Sequence, residues 1–154
     1  MAQEISVDIK TGNAEQMLAG IQSRLTTIVP LFPKAKKYIA AANVNNFTTN
    51  GLPVGGWKPL SAKYGSWKSI NFPGAPTMVR TGRLFSSLAS LRGPENKSSN
   101  TEMTFGLASN EVEYAKFHQF GTTKMPKRKI VFAPPLFAKW IAEQYSDYVV
   151  DGKI

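Results

Sequence analysis

The chain has no cysteine and a single histidine, His118. Without cysteine, a disulfide framework, a thiolate nucleophile, an iron–sulfur cluster and a cysteine zinc site are all excluded. One histidine rules out paired-histidine metal ligation and leaves one candidate imidazole base. No apolar run approaches the roughly 20 residues that span a bilayer as a helix. The opening MAQEISVDIK lacks the basic-then-apolar layout of a signal peptide, so synthesis and folding in a cytosol are expected. Acids are scarce as well: 10 Asp plus Glu stand against 19 Lys plus Arg, a formal net charge of +9.

The acids are also unevenly placed. Between Glu15 and Glu95 there is none, whereas Arg24, Lys34, Lys36, Lys37, Lys58, Lys63, Lys68, Arg80, Arg83 and Arg92 all fall in that interval. A one-sided distribution of this kind sets up a positive field that favours an anionic neighbour, either nucleic acid or an acidic protein surface. The plainer reading is a solvated basic face.

What is present suits one globular unit. A length of 154 residues with 42% hydrophobic residues is enough for a single buried core. No repeat or internal boundary stands out, so residues 1–154 are read as one domain.

Apolar spacing divides that domain into elements. Ile5, Val7 and Ile9 alternate with polar residues over 4–10, which predicts a half-buried strand. Asn13 is a candidate N-cap, followed at helical spacing by Met17, Leu18, Ile21, Leu25 and Ile28. Pro33 suits the first turn of a second helix, which buries Ala35, Tyr38, Ile39, Ala42 and Phe47. Residues 48–77 are rich in Gly, Pro, Asn and Ser with little periodicity, and read as one long irregular loop. Such a loop is expected to be mobile in the free chain and to order on assembly. Its aromatics, Trp57, Tyr64, Trp67 and Phe72, pin it to the core or fill a subunit interface, with stacking on bases as the alternative. Leu84, Leu88 and Leu91 stand at helical spacing over 81–91, although residues 86–92 could equally enter a strand; residues 95–100 predict a hairpin connection, and residues 101–108 a strand. A helix over 111–120 ends at Gly121, and a basic turn with Lys124, Lys127, Arg128 and Lys129 follows. After Pro134-Pro135 a terminal helix carries Leu136, Phe137, Trp140, Ile141 and Tyr145.

Catalytic constellations are hard to assemble from this inventory. Glu111 precedes His118 by seven positions, about two helical turns, too far for a hydrogen bond within one helix. Gly51 to Gly56 lacks the Gly-Lys-Ser/Thr ending of a phosphate loop. The carboxylates are too few and too terminal for a paired-acid or hard-metal site. A binding or structural role without cofactor or metal is therefore expected, and His118 is read as structural.

Four segments in order carry a resemblance: Gly56-Trp57-Lys58-Pro59-Leu60-Ser61, Arg80-Thr81-Gly82-Arg83-Leu84, Tyr114-Ala115-Lys116-Phe117-His118-Gln119-Phe120-Gly121, and Pro126-Lys127-Arg128. Together they resemble the virion-morphogenesis and tail-completion proteins of tailed bacteriophages, over roughly residues 40 to 145. Family members often run from the last segment directly into proline and phenylalanine. Here Lys129-Ile130-Val131-Phe132 intervenes, and the proline pair waits until Pro134.

The resemblance implies an α+β fold, a small antiparallel sheet packed against several helices. It implies a structural protein of the virion neck, made in the host bacterial cytoplasm, with no catalytic activity. Such proteins form an oligomeric ring, a hexamer or dodecamer, joining the portal side of the capsid to the tail. The implied partners are further copies of the chain, neighbouring connector and tail proteins, and genomic DNA passing through the lumen; no membrane is involved. Alternatives are a tail terminator or minor tail component, and a free-standing basic nucleic-acid-binding protein.

On this reading Trp57, Pro59, Lys124, Lys127 and Arg128 are candidate assembly-interface residues, the last three as an exposed cluster. Thr81, Gly82, Leu84, Tyr114, His118 and Gly121 are candidate structural-motif residues. Lys58, Lys63, Lys68, Arg80, Arg83 and Arg92 are candidates to face DNA or an acidic partner.

Overall fold

A computed structural model describes residues 12–93, 95–107 and 112–154. The predicted strand at 4–10 lies outside them. Among the described residues the chain is mostly helical, with one two-stranded antiparallel sheet. Helix α1 spans Gly12–Leu25, α2 Phe32–Thr48, α3 Ala62–Asn71, α4 Arg83–Ser90, α5 Ala115–Phe120 and α6 Phe137–Asp151. Strands β1, Lys97–Ser98, and β2, Met103–Thr104, pair with Lys97 opposite Thr104 and Ser98 opposite Met103. No helix among the described residues is long and apolar enough to cross a membrane.

Helix α2 is the central element, and its sequence explains why. Pro33 sits in the first turn, where its missing N–H costs no bond. Ala35, Ile39, Asn43, Asn46 and Phe47 are buried along one stripe. Phe47 meets Trp57 edge-on at 5.1 Å, and Leu84, Leu88, Val112, Ala115 and Ile130 complete the main core. Tyr38, on another side, stacks on Trp140 of α6 at 4.6 Å.

A second, smaller core joins Leu31 to Tyr148 and Val149, with Ile21 and Ile141 packed against it. It corrects the expected apolar stripe of α1. Ile21 packs inward, but Met17, Leu18 and Leu25 stay exposed, and no residue of α1 is buried. The helix is held instead by Arg24, whose Nε donates to the Val149 carbonyl at 2.8 Å and Nη2 to that of Val150 at 3.1 Å. A cation at the C-terminal carbonyls of α6 is favourably placed against the helix dipole.

Two further expectations change. Residues 48–77 are not one irregular loop. After a short turn at Leu52–Val54, the ten-residue α3 forms, with the Ser61 hydroxyl accepting from the Tyr64 N–H at 3.4 Å. The predicted strand at 101–108 shrinks to Met103–Thr104. Beyond it, the Asn96 side chain replaces backbone pairing: its Nδ2 donates to the Gly106 carbonyl and its Oδ1 accepts from the Gly106 N–H, at 3.1 and 3.0 Å. Lys97 and Ser98, expected in the hairpin connection, are the paired strand itself.

Candidate functional site

Segments far apart in sequence converge on the stretch 126–132. Gly121 closes α5 with φ +78, a backbone state that favours glycine, and a Cβ there would lie 2.9 Å from the Lys127 nitrogen. The chain therefore turns back tightly against its own helix. Gln119 holds the returning segment: its Oε1 accepts from the Ile130 and Val131 N–H groups at 2.8 and 2.9 Å, and its Nε2 donates to the Val131 carbonyl. The Lys129 carbonyl accepts from both Trp57 Nε1 at 3.0 Å and Asn46 Nδ2 at 3.1 Å.

Arg128 is the centre of this node. Its backbone N–H donates to the His118 carbonyl at 2.8 Å. Its guanidinium donates from Nε to the Lys58 carbonyl and from Nη2 to the Pro59 carbonyl, both at 2.9 Å. The side chain is buried, at 5% exposure. This corrects the expectation of an exposed contact residue, because the Lys58 and Pro59 carbonyls hold the guanidinium fork inward. Lys124 and Lys127, its neighbours in the turn, remain exposed. Trp57 is buried beside Phe47 and serves the core, while Pro59 stays exposed.

A cleft of about 230 Å³ opens beside the node. Leu60, Tyr64 and Lys68 form one wall, residues 77–85 a second, and Tyr114 with His118 a third. Thr81, Gly82 and Arg83 lie on its rim at the start of α4, and Leu84 is buried at its base. Tyr114 and His118 meet edge-to-face at 6.0 Å.

Lys68 is a second correction. Expected to face an anionic partner in the open, it is only 4% exposed and donates from Nζ to the carbonyls of Pro76 and Thr77. Burial pulls its pKa below the ordinary lysine value, and burial also lowers that of Arg128. The other basic candidates, Lys58, Lys63, Arg80, Arg83 and Arg92, are exposed.

His118 is half-buried, and its Nδ1 has no hydrogen-bond partner. Burial holds its pKa below the usual histidine value, and the positive charge of Arg128 adds to the effect. A neutral imidazole therefore faces the cleft near neutral pH. Among the described residues, no group of three or more His, Asp or Glu side chains is placed to hold a metal ion.

Sequence reasoning missed Asn43, Asn46 and Gln119, which fasten the frame around the site. Asn43 donates to the Leu88 carbonyl at 3.1 Å, tying α2 to α4. The only signal available was a polar residue at a core position of a helical stripe.

No protein-family model, curated protein or solved structure matches this chain.

Proposed function

We propose that the protein is a structural component of a tailed-phage virion, acting in the neck as an oligomeric ring between capsid portal and tail. One observation carries the reading. The four segments that bear the resemblance, far apart in sequence, meet at a single node. Arg128 holds the Lys58 and Pro59 carbonyls and bonds the His118 backbone, while the Arg80–Leu84 segment shares a cleft with Tyr114 and His118. A common origin for the four motifs predicts such a joint construction.

The surface adds a second support. Trp67, Ile70, Phe117, Phe120 and Leu136 are large apolar side chains left in solvent. Exposed apolar groups of this size suit burial against neighbouring subunits. Lys124 and Lys127 stand nearby in sequence as exposed charges able to steer docking.

Light scattering on the purified chain, followed by negative-stain imaging, tests ring formation. The expected result is a closed ring. A chain that stays monomeric alone and in the presence of its virion neighbours would overturn the proposal. Sequence-selective DNA binding by the monomer would favour the free-standing nucleic-acid-binding reading instead.

A further inference from the structure

An apolar groove of about 370 Å³ opens on the second core and shares no lining residue with the cleft. Ile28 and Leu31 form one side, Met103 and Phe105 another, and Ile141 and Tyr145 of α6 the third. The one hydroxyl there, on Tyr145, is spent on the Leu25 carbonyl at 3.2 Å. Among the described residues β2, which contributes Met103, pairs with β1 alone, so its other edge can take a strand.

Helix α1 points to the occupant. Its last turn is pinned to α6 through Arg24, yet residues 12–19 are exposed at every position. Met17 and Leu18 are both more than half exposed. At 1.5 Å per residue the helix begins about 20 Å from its pinned end, and so from its own groove. Residues 1–11 precede it, and over 4–10 Ile5, Val7 and Ile9 alternate with polar residues. A segment with one apolar face needs an apolar floor. Leu107 and Val112, which bracket residues 108–111, both belong to the main core, so that stretch is no candidate for the groove.

We infer that residues 4–10 of one copy dock in this groove of a second copy, with Ile5, Val7 and Ile9 toward it. Glu4 and Asp8 fall on the opposite face of the alternation. The second copy offers them cations: Lys34 and Lys37 are exposed at the start of α2, and Lys34 Nζ donates to Gln144, next to Tyr145, at 2.7 Å. Lysines at a helix start oppose its dipole, and a neighbour's carboxylates offset that cost. Arm and groove are different surfaces, so the contact runs head to tail and repeats into a ring where the rotation closes. The inference rests on the ring reading and names its contact.

The absence of native cysteine makes the test clean. Val7→Cys and Ala142→Cys, the latter at an exposed position of the groove, are combined in one full chain and oxidised with diamide. The expected result is a ladder of disulfide-linked chains on a non-reducing gel. Links that close within single chains would overturn the inference. Ile5→Asp/Ile9→Asp should weaken self-association about tenfold or more in sedimentation, because each isoleucine loses its apolar burial. Ser6→Asp, on the other face, should leave it near the parent value.

Undiminished association in the double aspartate variant overturns the arm contact and leaves the ring reading standing. A chain that never self-associates also overturns the contact, while the ring is still tested with its virion neighbours. A ladder that stops at two chains supports the arm contact and removes the ring.

Discussion

The guanidinium of Arg128 donates from Nη2 to the Pro59 carbonyl at 2.9 Å, across 69 positions of sequence. With its Nε on the Lys58 carbonyl, the side chain fastens the turn before α3 to the extended segment after α5. Arginine can do this because its planar fork offers two donors in fixed geometry, which a lysine ammonium does not reproduce.

Arg128→Ala should therefore lower stability by about 2 kcal/mol, the cost of losing hydrogen bonds to a charged group. At this chain length the melting temperature falls by about 4–8 °C. Lys124→Ala/Lys127→Ala, two exposed sites, should stay within about 0.5 kcal/mol of the parent. Thermal melts of both variants decide the matter. On the proposed neck function, the lysine pair should instead leave filled heads and tails unjoined in phage complementation.

Gly51 has φ +80, and a Cβ there would stand 2.4 Å from the Trp57 ring. Gly55, at φ +90, has nothing within 4 Å of the same position. Gly55→Ala should lose about 1 kcal/mol through backbone strain alone. Gly51→Ala adds a collision with a buried indole and should cost more, about 2–4 kcal/mol. Urea denaturation of the two variants separates strain from overlap.

His118 gives stability a pH dependence of known sign. Its folded pKa lies below the unfolded value near 6.5, so the unfolded chain binds more protons between the two. This contribution is fully present above about pH 6.5 and is lost as pH falls from there through the folded pKa. His118→Gln should flatten that part of the profile and leave assembly intact. Denaturation midpoints from pH 5 to 8, on the scale set by the histidine pKa, test it. An unchanged slope in the variant would assign the dependence to another group.

Residues 48–77 should already be protected from hydrogen exchange in the isolated chain. The Trp57 N–H donates to the Asn50 carbonyl at 2.9 Å and the Phe72 N–H to that of Lys68 at 2.8 Å. Exchange at these amides should be slower than at the amides of Thr123 and Lys127 in the exposed turn after α5. Rapid exchange throughout the segment would return it to the mobile loop its composition suggests.

Helices α2 and α6 were legible in the sequence because each buries apolar residues at helical spacing, and spacing is a local property of the chain; for α4 the spacing fitted a helix but left 86–92 open to a strand, and the structure forms the helix Arg83–Ser90. The expectation of a helix over 111–120 keeps its C-terminal half, Ala115–Phe120, and its glycine end. Helix α3 was not legible, and the reason is physical. Trp67 and Ile70 are exposed, while its one buried side chain is Lys68, so the usual pattern is inverted. The same holds for Arg128, a cation inside a run that reads as a solvated basic turn.

Composition and periodicity by themselves determined the one-sided charge, the absence of cysteine chemistry and the main helical stripes. Only the tertiary structure decided which cations are buried. A lysine or arginine can leave water only where carbonyls or anions await it. For Lys68 and Arg128 those carbonyls belong to residues 76–77 and 58–59, brought into reach by the folding of the chain around α2.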